Sequence, residues 1–457
     1  MRLIVKTVIT YGTYDLLHEG HLRLLKRAKA LGDYLIVGVT SDDYDKTRGK
    51  INNKQSLIER MAAVKATGLA DKIIVEEYEG QKIDDLKRFG VDIFTVGSDW
   101  KGKFDYLQQY CQVIYLPRTE GISSSQLRAE ENNLLIGIVG QTSFWWKFVN
   151  ECHFVNGIHF GGIYTQKENF TALQKQAFDK NIDIPFLTDD LESFLNKVDA
   201  VYIISKPAQH YNEIRMALLA HKHVLCESPI SESVQQTKEL VELAKQQGCI
   251  LMEAIKTAYA TAYERVLLVA QSGRIGRIIS IDATCTSLNT RWRNADFELS
   301  SQWNSIEAWG PTVMLPVFQL LGSDYNQRSI VSQYVDKNKQ YDGYTKINFI
   351  YPHATATVQV AKAAKSEGEL VITGEKGYIY VPAPWWKTAY FEVRYENPQD
   401  NLRYFYQLDG EGIRYEVVAF VRSIETKKNG TYIDEKVSLA ISKIIEECKE
   451  HKDVVEI

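Results

Sequence analysis

The sequence predicts an α/β protein with two successive parallel-sheet domains, followed by an α+β domain whose sheet is mostly antiparallel. The chain of 457 residues is too long for one ordinary hydrophobic core, which favours two or three domains. Up to about residue 255, short apolar runs alternate with helical patterns, and this alternation starts afresh near residue 133. Beyond residue 278, apolar and polar residues alternate singly, which is typical of antiparallel strands.

The first domain is predicted as a parallel sheet covered by helices on both faces. Its strands are short continuous apolar runs, and its helices carry apolar residues at helical spacing. The predicted strands are 8–11, 34–40, 72–75, 93–96 and 113–116, and the predicted helices are 18–31, 57–67 and 123–133. Ligands of such sheets bind at the carboxyl ends of the strands, so the functional motifs are expected there.

A strand and turn at 133–140 begin the second domain, which is predicted to have a Rossmann-type sheet. Its further strands are predicted at 158–164, 200–205, 224–226 and 250–252. The third domain is predicted to contain strands 346–351, 355–360, 370–373 and 390–395, a last helix at 437–448 and a charged tail. We therefore place the three domains at residues 1–131, 132–255 and 256–457.

Composition and charge exclude several classes of function. Apolar residues make up 45% and charged residues 25% of the chain, and the net charge of -4 argues against nucleic acid as a partner. The six cysteines form no C-x-x-C pair, so neither a zinc site nor a disulfide framework is expected. No stretch approaches the ~18 apolar residues of a membrane span, and the N-terminus is predicted as a strand rather than a signal peptide. We expect a cytoplasmic protein that does not bind membranes.

The segment YGTYDLLHEGH, residues 11–21, lies where the first strand turns into the first helix. Gly12 lets the backbone approach a ligand, and the i,i+3 spacing of His18 and His21 points both imidazoles to one side of the first helical turn. Two imidazoles at the positive end of a helix can donate hydrogen bonds to a phosphate and to the charge that develops on it during transfer. The alternative is that both histidines merely cap the helix or lie on the surface. Their spacing does not fit an HExxH zinc site.

Three further segments raise the specificity of this motif: LGDYLIVGVTSDD at 31–43, GSDWKGKFDYL at 97–107 and YLPRTEGISSS at 115–125. Together the four segments make residues 1–131 resemble the glycerol-3-phosphate cytidylyltransferase family. The resemblance implies a Rossmann-like nucleotidyltransferase domain that transfers CMP from CTP to a polyol phosphate, with glycerol 3-phosphate as the first candidate. Ribitol phosphate and related acceptors stay open, as does an adenylyltransferase, because H-x-G-H serves several nucleotides.

The resemblance also implies roles for individual residues. His18, His21 and Arg118 would contact the phosphates of CTP and stabilise the transition state, while Asp15, Asp99 and Trp100 would line the substrate site. A basic loop would cover the phosphates through one of three side chains, which are Lys46, Arg48 and Lys50. The remaining nucleotide-binding residues would be Tyr11, Gly12, Thr13, Arg60, Ser123, Ser124 and Ser125. Two departures from the family, Ser98 in GSDW and the SSS run, remove no proposed catalytic group.

The chemistry that follows from the resemblance is in-line displacement, in which positioning and charge neutralisation lower the barrier. Such transfers normally use a divalent ion that bridges the phosphates, so Mg²⁺ with CTP is the expected cofactor. The expected partners are CTP and a small polyol phosphate. The family resemblance also favours a homodimer.

The remainder of the chain resembles the glucose–fructose oxidoreductase and inositol dehydrogenase family. The segments that carry this resemblance are LLIGIVG at 134–140, SKPAQHY at 205–211, KHVLCESP at 222–229, GCILMEA at 248–254, SGRIGRI at 272–278 and ITGEKGYIYVPAPWW at 372–386. The resemblance implies a dinucleotide-type domain followed by a domain with a mostly antiparallel sheet.

Several groups that oxidoreductases of this kind use are missing. Thr142 and Trp145 replace the second and third glycines of G-x-G-x-x-G, where glycine lets the backbone approach pyrophosphate and lets helix and strand pack closely. Ser228 replaces the lysine of Glu-Lys-Pro, and Thr312 falls where a Tyr or His acid is expected. The second strand ends without an acid for the ribose. Lys167 beyond it could face a 2′-phosphate or be solvated, and we expect it to be solvated. Binding of NAD(P) is therefore doubtful.

Three hypotheses follow for the whole chain. In the first, it is a CTP:polyol-phosphate cytidylyltransferase with an appended oxidoreductase-like part that is redox-inactive. In the second, the chain is bifunctional, and its second part makes or modifies the polyol phosphate with a nicotinamide cofactor. In the third, the second part is a module for binding or oligomerisation. His210 and Glu227 are retained from the family pattern, but a histidine at a helix start and a glutamate at a strand end are commonly structural.

Overall fold

A computed structural model of the chain describes residues 5–42, 53, 55–77, 81–117, 134–140, 144–155, 157–289, 303–406, 408 and 410–457. The chain divides into two compact units, Met1–Asn133 and Leu134–Ile457. The predicted helix 123–133 and the basic loop around residues 46–50 lie outside the described residues. No helix in the described part of the chain is long and apolar enough to cross a membrane.

The first unit contains a five-stranded sheet in the order β3-β2-β1-β4-β5, in which all neighbouring strands are parallel. Its strands are rich in valine and isoleucine, whose branched side chains favour extended backbone. The strands are β1 Thr7–Gly12, β2 Tyr34–Thr40, β3 Lys72–Glu76, β4 Ile93–Gly97 and β5 Gln112–Leu116, and the helices are α1 Glu19–Lys29, α2 Leu57–Ala66 and α3 Gln81–Phe89.

Helices cover both faces of this sheet, as predicted. Val8 of β1 packs in the same apolar cluster as Leu25 of α1. The next residue, Ile9, packs in the cluster on the opposite face, which contains Leu86 of α3. Successive strand residues point to opposite faces, so a strand buried on both faces needs the continuous apolar sequence found here.

Successive strands of the chain are placed on opposite sides of β1. The strands β2 and β3 lie on one side of β1, whereas β4 and β5 lie on the other. The carboxyl ends of β1 and β4 therefore flank the crevice at which open α/β sheets bind ligands. Gly12 ends β1 and Gly97 ends β4, so the motifs that begin at these two glycines follow the two strands that border the crevice.

The second unit begins with a six-stranded parallel sheet in the order β11-β10-β9-β6-β7-β8. Its change of direction lies between β6 and β9. The strands are β6 Leu134–Val139, β7 Ile158–Tyr164, β8 Leu187–Thr188, β9 Ala200–Ile203, β10 His223–Glu227 and β11 Leu251–Ala254. The helices are α4 Trp145–Cys152, α5 Phe170–Lys180, α6 Leu191–Leu195, α7 Pro207–Leu219 and α8 Val234–Gln247.

A nine-stranded sheet follows, in the order β19-β18-β17-β16-β12-β15-β14-β13-β20. Its strands are β12 Ile278–Thr286, β13 Gln327–Tyr334, β14 Asp342–Ile350, β15 Thr355–Ala361, β16 Leu370–Gly374, β17 Tyr378–Val381, β18 Tyr390–Arg394, β19 Leu402–Phe405 and β20 Val454–Glu456. Only the β12–β15 and β13–β20 pairs are parallel, which confirms the mostly antiparallel sheet. The helices are α9 Thr261–Gln271, α10 Ser305–Leu321, α11 Ile413–Thr426 and α12 Glu435–Lys449.

The segment after the last helix, which was predicted only as a charged tail, contains a further strand. Residues Val454–Glu456 form strand β20, which pairs with β13 through Ile330 and Val454. Two β-branched residues supply the strand propensity, and the edge of β13 supplies backbone hydrogen-bond partners. The segment is too short for its alternation to stand out among the charges around it.

Candidate active site

The turn that follows β1 is shaped by a buried aromatic ring. Tyr14 is 1% exposed and adopts a positive φ of 54°. A Cβ atom on Gly12 would lie 3.0 Å from the Tyr14 ring, so a larger residue at position 12 would displace the ring. This close approach favours glycine at position 12, in the turn between the end of β1 and the start of α1.

His18 is the N-cap residue of α1, and its side chain accepts a hydrogen bond from the backbone N–H of Gly20 at 3.0 Å. Because Nδ1 accepts this bond, it carries no proton, and the proton of the neutral ring is on Nε2. The His21 ring stacks on the His18 ring with the centroids 4.0 Å apart. The edge of Tyr14 supports His21 from below, at a centroid distance of 5.5 Å. Capping thus orients one imidazole, and stacking orients the other beside it.

Asp15 and Arg60 fix the surrounding loops. The Asp15 carboxylate is 2% exposed and accepts a hydrogen bond at 3.0 Å from the backbone N–H of Gln55, just before α2. Gln55 in turn accepts from the backbone N–H of Leu16 at 2.8 Å. These two bonds tie the turn after β1 to the start of α2. A direct contact of Asp15 with the substrate stays a prediction.

Arg60 is completely buried, which is rare for an arginine unless its charge is paired. Its guanidinium donates to the carbonyl oxygen of Thr13 at 2.7 Å and to that of Thr40 at 2.9 Å, and it pairs with Asp42. The side chain therefore connects the carboxyl ends of β1 and β2. Its predicted contact with the nucleotide stays untested, but the positioning role is evident from these contacts.

The end of β4 leads into the short 3-10 helix Ser98–Trp100. The half-buried Trp100 packs against Phe104, with the ring centroids 5.8 Å apart, and the ammonium of Lys103 lies 5.1 Å from the Trp100 ring. The backbone of Asp99 is part of this helix, whereas its side chain lies outside the described atoms. Two of the predicted substrate residues thus follow the strand beside β1.

Lys82 of α3 is a site residue that the sequence analysis missed. It is 6% exposed and forms an ion pair with the buried Glu76 at the end of β3. Its ammonium lies 4.8 Å from the centroid of the Tyr11 ring, and Tyr11 donates to Asp85 at 2.9 Å. A buried lysine beside a predicted nucleotide residue is a functional candidate. No local pattern in the sequence marks Lys82, because other charged residues stand beside it throughout α3.

Several predicted site residues lie outside the described part of the chain: Lys46, Arg48, Lys50, Arg118, Ser123, Ser124 and Ser125. The chain leading to Arg118 is described as far as Pro117, whose carbonyl oxygen accepts a hydrogen bond from Arg27 of α1 at 2.8 Å. The segment that contains Arg118 therefore starts beside the helix that carries the two histidines.

The chemistry of the described site favours an anion over a bound metal ion. The groups at the start of α1 are imidazole and backbone N–H donors, which suit phosphate oxygens. Among the described residues, no group of three or more His, Cys, Asp or Glu side chains is arranged to hold a metal ion. The Mg²⁺ expected with CTP would depend mainly on the phosphate oxygens of the nucleotide.

In the second unit, the residues described on either side of the turn after β6 are Gly140 and the start of α4, which carries a buried tryptophan. Trp145, in the third glycine position, is 1% exposed, and its Nε1 donates to Gln176 at 2.9 Å. Gly140 adopts a φ of 99°, and a Cβ atom there would meet the backbone of Ser205 at 2.6 Å. The first glycine is thus retained for its conformation, whereas a tryptophan stands between helix and strand. Thr142 lies outside the described residues.

The other positions that bear on redox chemistry are also placed. Lys167 is largely exposed and pairs with Asp189 at 3.4 Å, so it is solvated as expected. The buried Ser228 donates to the Glu253 carboxylate, and Thr312 lies within α10. A serine and a threonine thus stand at the two positions where the resemblance implies a lysine and an acid.

Two further residues left open by the sequence analysis have structural contacts. The buried ring of His210 contacts the carbonyl oxygens of Pro229 at 2.7 Å and Ser205 at 2.9 Å, and burial lowers the pKa of this imidazole. Glu227 accepts a hydrogen bond from Tyr202, and its removal from solvent raises its pKa. His210 thus joins two strand ends, which is a structural role.

Comparisons with known proteins agree with this division. The family described as cytidylyltransferase-like matches residues 9–130, and the oxidoreductase family with an NAD-binding Rossmann fold matches residues 135–255. The glycerol-3-phosphate cytidylyltransferase of Bacillus spizizenii is 47% identical over 130 residues, which cover 28% of this chain and 100% of the relative. The Staphylococcus aureus enzyme of the same name is 46% identical over 126 residues, which cover 28% of this chain and 95% of the relative.

The second unit has more distant relatives. The scyllo-inositol 2-dehydrogenase (NADP+) IolU of Bacillus subtilis is 24% identical over 273 residues, which cover 56% of this chain and 79% of the relative. The 3-ketoreductase KijD10 of Actinomadura kijaniata superimposes with a TM-score of 0.62 at 15% identity, over 71% of this chain and 100% of KijD10. These similarities establish a ketoreductase and dehydrogenase fold for the second unit.

Fold, site and relatives together define a CTP-dependent nucleotidyltransferase. Through its first unit, the chain belongs to the glycerol-3-phosphate cytidylyltransferase family. The second unit is an oxidoreductase-like domain fused to it.

Proposed function

We propose that the first unit transfers CMP from CTP to glycerol 3-phosphate, giving CDP-glycerol and pyrophosphate. The observation that carries this proposal is the stacked pair of His18 and His21 at the N-terminus of α1, beside the crevice between β1 and β4. The substrates are those named for relatives that are 46–47% identical. Other polyol phosphates are the competing acceptors.

In the proposed reaction, an oxygen of the acceptor phosphate attacks the α-phosphorus of CTP in line with the leaving group. The new P–O bond forms as the bond between the α-phosphorus and the bridging oxygen breaks, and that electron pair leaves with pyrophosphate. The Nε2–H group of His18 donates to the phosphate oxygens, and His21 beside it donates to the charge that develops during transfer. No covalent enzyme intermediate is needed.

The other site residues position the substrates in this proposal. Arg118 and the serines at 123–125 hold the β- and γ-phosphates, since guanidinium groups and a helix N-terminus both suit phosphate oxygens. Arg48 or Lys50 covers the phosphates. Asp99 and Trp100 contact the acceptor or the cytidine, and Lys82 balances negative charge beside Tyr11. Mg²⁺, when bound to CTP, supplies further charge neutralisation.

The test is a pyrophosphate-release assay of the full chain with each of the four nucleoside triphosphates against glycerol 3-phosphate, ribitol 5-phosphate and related polyol phosphates. We expect CTP with glycerol 3-phosphate to give the highest kcat/KM. Comparable turnover with ATP would contradict the cytidylyltransferase assignment, whereas a preference for ribitol 5-phosphate would overturn only the acceptor. In the same assay, Arg118→Ala should mainly raise KM for CTP, because it removes a phosphate contact.

We also propose that the second unit does not transfer hydride. Trp145, Ser228 and Thr312 stand where the family has a glycine, a lysine and an acid, and the contacts of Trp145 and Ser228 are internal to the unit. A role in ligand binding or in forming a homodimer is the function left for it under this proposal. Cofactor oxidation that depends on residues 134–457 would establish the bifunctional alternative.

A further inference from the structure

Three lysines from three separate elements of the second unit meet at one carboxylate. The Glu411 carboxylate lies 2.9 Å from the ammonium of Lys147, 3.1 Å from that of Lys387 and 3.6 Å from that of Lys256. Lys147 is in the first turn of α4, Lys256 follows β11, and Lys387 ends the 3-10 helix Trp385–Lys387. We call these four side chains the lysine cluster.

The position of the lysine cluster is that of a ligand site. The helix α4 follows β6, and Lys256 comes two residues after the end of β11, so both lysines lie at the carboxyl edge of the parallel sheet. Ligands of open α/β sheets bind at this edge. All four side chains are between a quarter and two-fifths exposed, so the cluster is accessible from solvent.

The backbone that carries Glu411 is held in an unfavourable conformation. Glu411 has a φ of 55°, a region that non-glycine residues avoid, and the glycines on either side have φ values of 57° and 92°. Gly410 packs so tightly on Glu151 that a Cβ atom there would lie 2.0 Å from its carboxylate. Strain of this kind persists where the surroundings impose it and is concentrated at ligand sites and switches.

The charges of the cluster are not balanced. Three ammonium groups face one carboxylate, which leaves two positive charges in excess. The salt bridge from Arg414 at 2.9 Å balances Glu151. Burial by itself would raise the pKa of Glu411, but hydrogen bonds from Lys147 and Lys387 and the charge of Lys256 outweigh burial and lower it to about 2. Glu411 is therefore ionised at neutral pH and acts as an anion among cations.

A buried carboxyl group next to the cluster has one oxygen without a hydrogen-bond partner among the described residues. Glu416 is 1% exposed, and its Oε2 accepts no hydrogen bond from any residue that the structure describes. Burial and the nearby Glu227 raise the pKa of Glu416, although Lys256 opposes this shift. A protonated Glu416 can donate a hydrogen bond, and it carries no negative charge that would balance the lysines.

We propose that Lys147, Lys256 and Lys387 form a binding site for a phosphate monoester group, and that Glu411 occupies this site as an internal counter-ion when no ligand is bound. A monoester dianion offers three terminal oxygens to three ammonium groups, whereas the carboxylate offers two. Its two negative charges leave one positive charge in excess among the three lysines, whereas the single charge of Glu411 leaves two. The proposal concerns binding alone and does not depend on the activity of the first unit.

Competition with Glu411 is the distinguishing property of this site. A ligand that must displace Glu411 binds with an affinity reduced by the fraction of molecules in which the site is open. Glu411→Gln removes the competing charge without changing the size of the side chain. We therefore expect this variant to bind a phosphate more tightly, whereas substitution of a lysine weakens binding.

Lysine labelling of the full chain gives a readout specific to this site. The protein is treated briefly with an amine-acetylating reagent, and modification of each lysine is measured by mass spectrometry with and without inorganic phosphate. We expect Lys147, Lys256 and Lys387 to be protected together. Lys245, whose surface pair with Glu435 lies at 3.2 Å, is the control lysine and should keep its reactivity.

The variants sharpen the test. In Glu411→Gln, half-maximal protection by phosphate should occur at a concentration about tenfold lower than in the wild type. The matched control Glu435→Gln removes the same charge at an exposed pair and should change nothing. Lys387→Gln should weaken the protection of Lys147 about tenfold, because one of three charge-assisted hydrogen bonds is lost.

Two organic probes identify the source of the phosphate. NADPH carries a phosphate monoester that NADH lacks, and glycerol 3-phosphate carries one without a nucleotide. Protection by NADPH but not NADH points to a dinucleotide, and protection by glycerol 3-phosphate points to a polyol phosphate. Unchanged labelling with all probes in both wild type and Glu411→Gln would overturn the proposal. So would an equal response of Glu435→Gln. If Glu411→Gln fails to fold, lysine labelling of the wild type with and without phosphate is sufficient to test the proposal.

Discussion

The polar side chains at the carboxyl ends of the two parallel sheets are arranged differently. In the first unit, the half-buried imidazoles of His18 and His21 stand together at the start of a helix, while buried side chains such as Arg60 fix the loops behind them. In the second unit, Ser228 donates to Glu253, and Glu411 takes the charge of three lysines. The first site places its two imidazoles beside the crevice between β1 and β4, whereas the polar groups of the second are paired within the unit, apart from the excess positive charge of the lysine cluster.

The comparison teaches that the topology of a sheet does not determine its function. Both sheets have a change of direction at a central strand and a helix directly after that strand. The residue that follows the turn differs between the units. It is a capping histidine in the first unit and a buried tryptophan in the second. Function therefore depends on the side chains at the strand ends, and each can be tested by substitution.

The largest effect is expected for Arg60→Ala. Removal of the guanidinium breaks its hydrogen bonds to the carbonyl oxygens of Thr13 and Thr40, which follow β1 and end β2. We expect a loss of about 3 kcal/mol in the free energy of opening this region, since hydrogen bonds from a charged group contribute about 1.5–3 kcal/mol each. Hydrogen exchange of peptides from β1 and β2 measures it.

Arg23→Ala is the matched control, since Arg23 forms an exposed i,i+4 pair with Glu19 at 3.0 Å. Such a pair contributes about 0.3–0.5 kcal/mol. Arg60→Lys should lie between the two, because one ammonium group cannot replace the fork of a guanidinium. If exchange in Arg60→Ala were as slow as in the Arg23 variant, the positioning role of Arg60 would be wrong.

The next effect concerns catalysis by the stacked histidines. His21→Ala should lower kcat/KM for CTP by ~10²-fold, as for the loss of one preorganised donor to developing charge. The fold should be intact, because the backbone of the helix and the His18 cap remain. The measurement is pyrophosphate release at saturating acceptor.

His153→Ala is the control, since His153 is an exposed residue at the end of α4 in the second unit. It should leave kcat/KM unchanged. Near-normal activity of a folded His21→Ala protein would refute the assignment of the motif.

A smaller effect is expected from pH in the second unit. Burial raises the pKa of Glu213 to about 7, although a hydrogen bond from Ser205 opposes the shift. A carboxyl whose pKa is higher in the folded state contributes stability below its unfolded pKa of 4.5, and this contribution is lost as the pH rises to about 7. The full effect corresponds to at most about 3 kcal/mol.

Glu213→Gln isolates this effect because an amide of similar size cannot ionise. Between pH 4.5 and 7, the wild type should lose stability relative to the variant, as measured by thermal unfolding of the second unit. Glu435→Gln, which alters the exposed pair of Glu435 with Lys245, is again the control and should show no such dependence of stability on pH. A wild type and Glu213→Gln with parallel pH profiles would contradict the raised pKa.

The fold was largely predictable because its signals are local. The predicted strands 34–40 and 158–164 coincide with Tyr34–Thr40 and Ile158–Tyr164. Where predictions ended too early, the strand continues through a polar residue, as at Glu76 and Glu227, because side chains at the ligand edge need not be apolar. The helix Gln81–Phe89 was missed because charged residues separate its few apolar ones.

The site was only partly predictable, since contacts between distant residues leave no local signal. The pair of His18 and His21 follows from helical spacing alone. The role of Arg60 requires the knowledge that Thr13 and Thr40 end adjacent strands. The pairing of Lys147 with Glu411 joins residues 264 positions apart and has no counterpart in the sequence pattern.

The smallest expected effect is none at all: the full chain should not oxidise NADH or NADPH in the presence of keto-polyol phosphates. A cofactor would need the turn after β6 to approach its pyrophosphate, yet the buried Trp145 ring is fixed there by a hydrogen bond to Gln176. Ser228 cannot supply a cation, because it is neutral and its hydroxyl donates to Glu253. Thr312 has no useful pKa as an acid.

The measurement follows absorbance of the cofactor with the full chain and with a chain that ends before residue 134. Binding of NADPH at the lysine cluster would not by itself restore hydride transfer, because Ser228 and Thr312 are unchanged by it. The double variant Trp145→Gly with Ser228→Lys sharpens the argument: if only these groups are missing, slow oxidation should emerge in it. Steady oxidation by the wild-type chain that is absent from the shortened chain would show that the second unit reaches its chemistry with other residues.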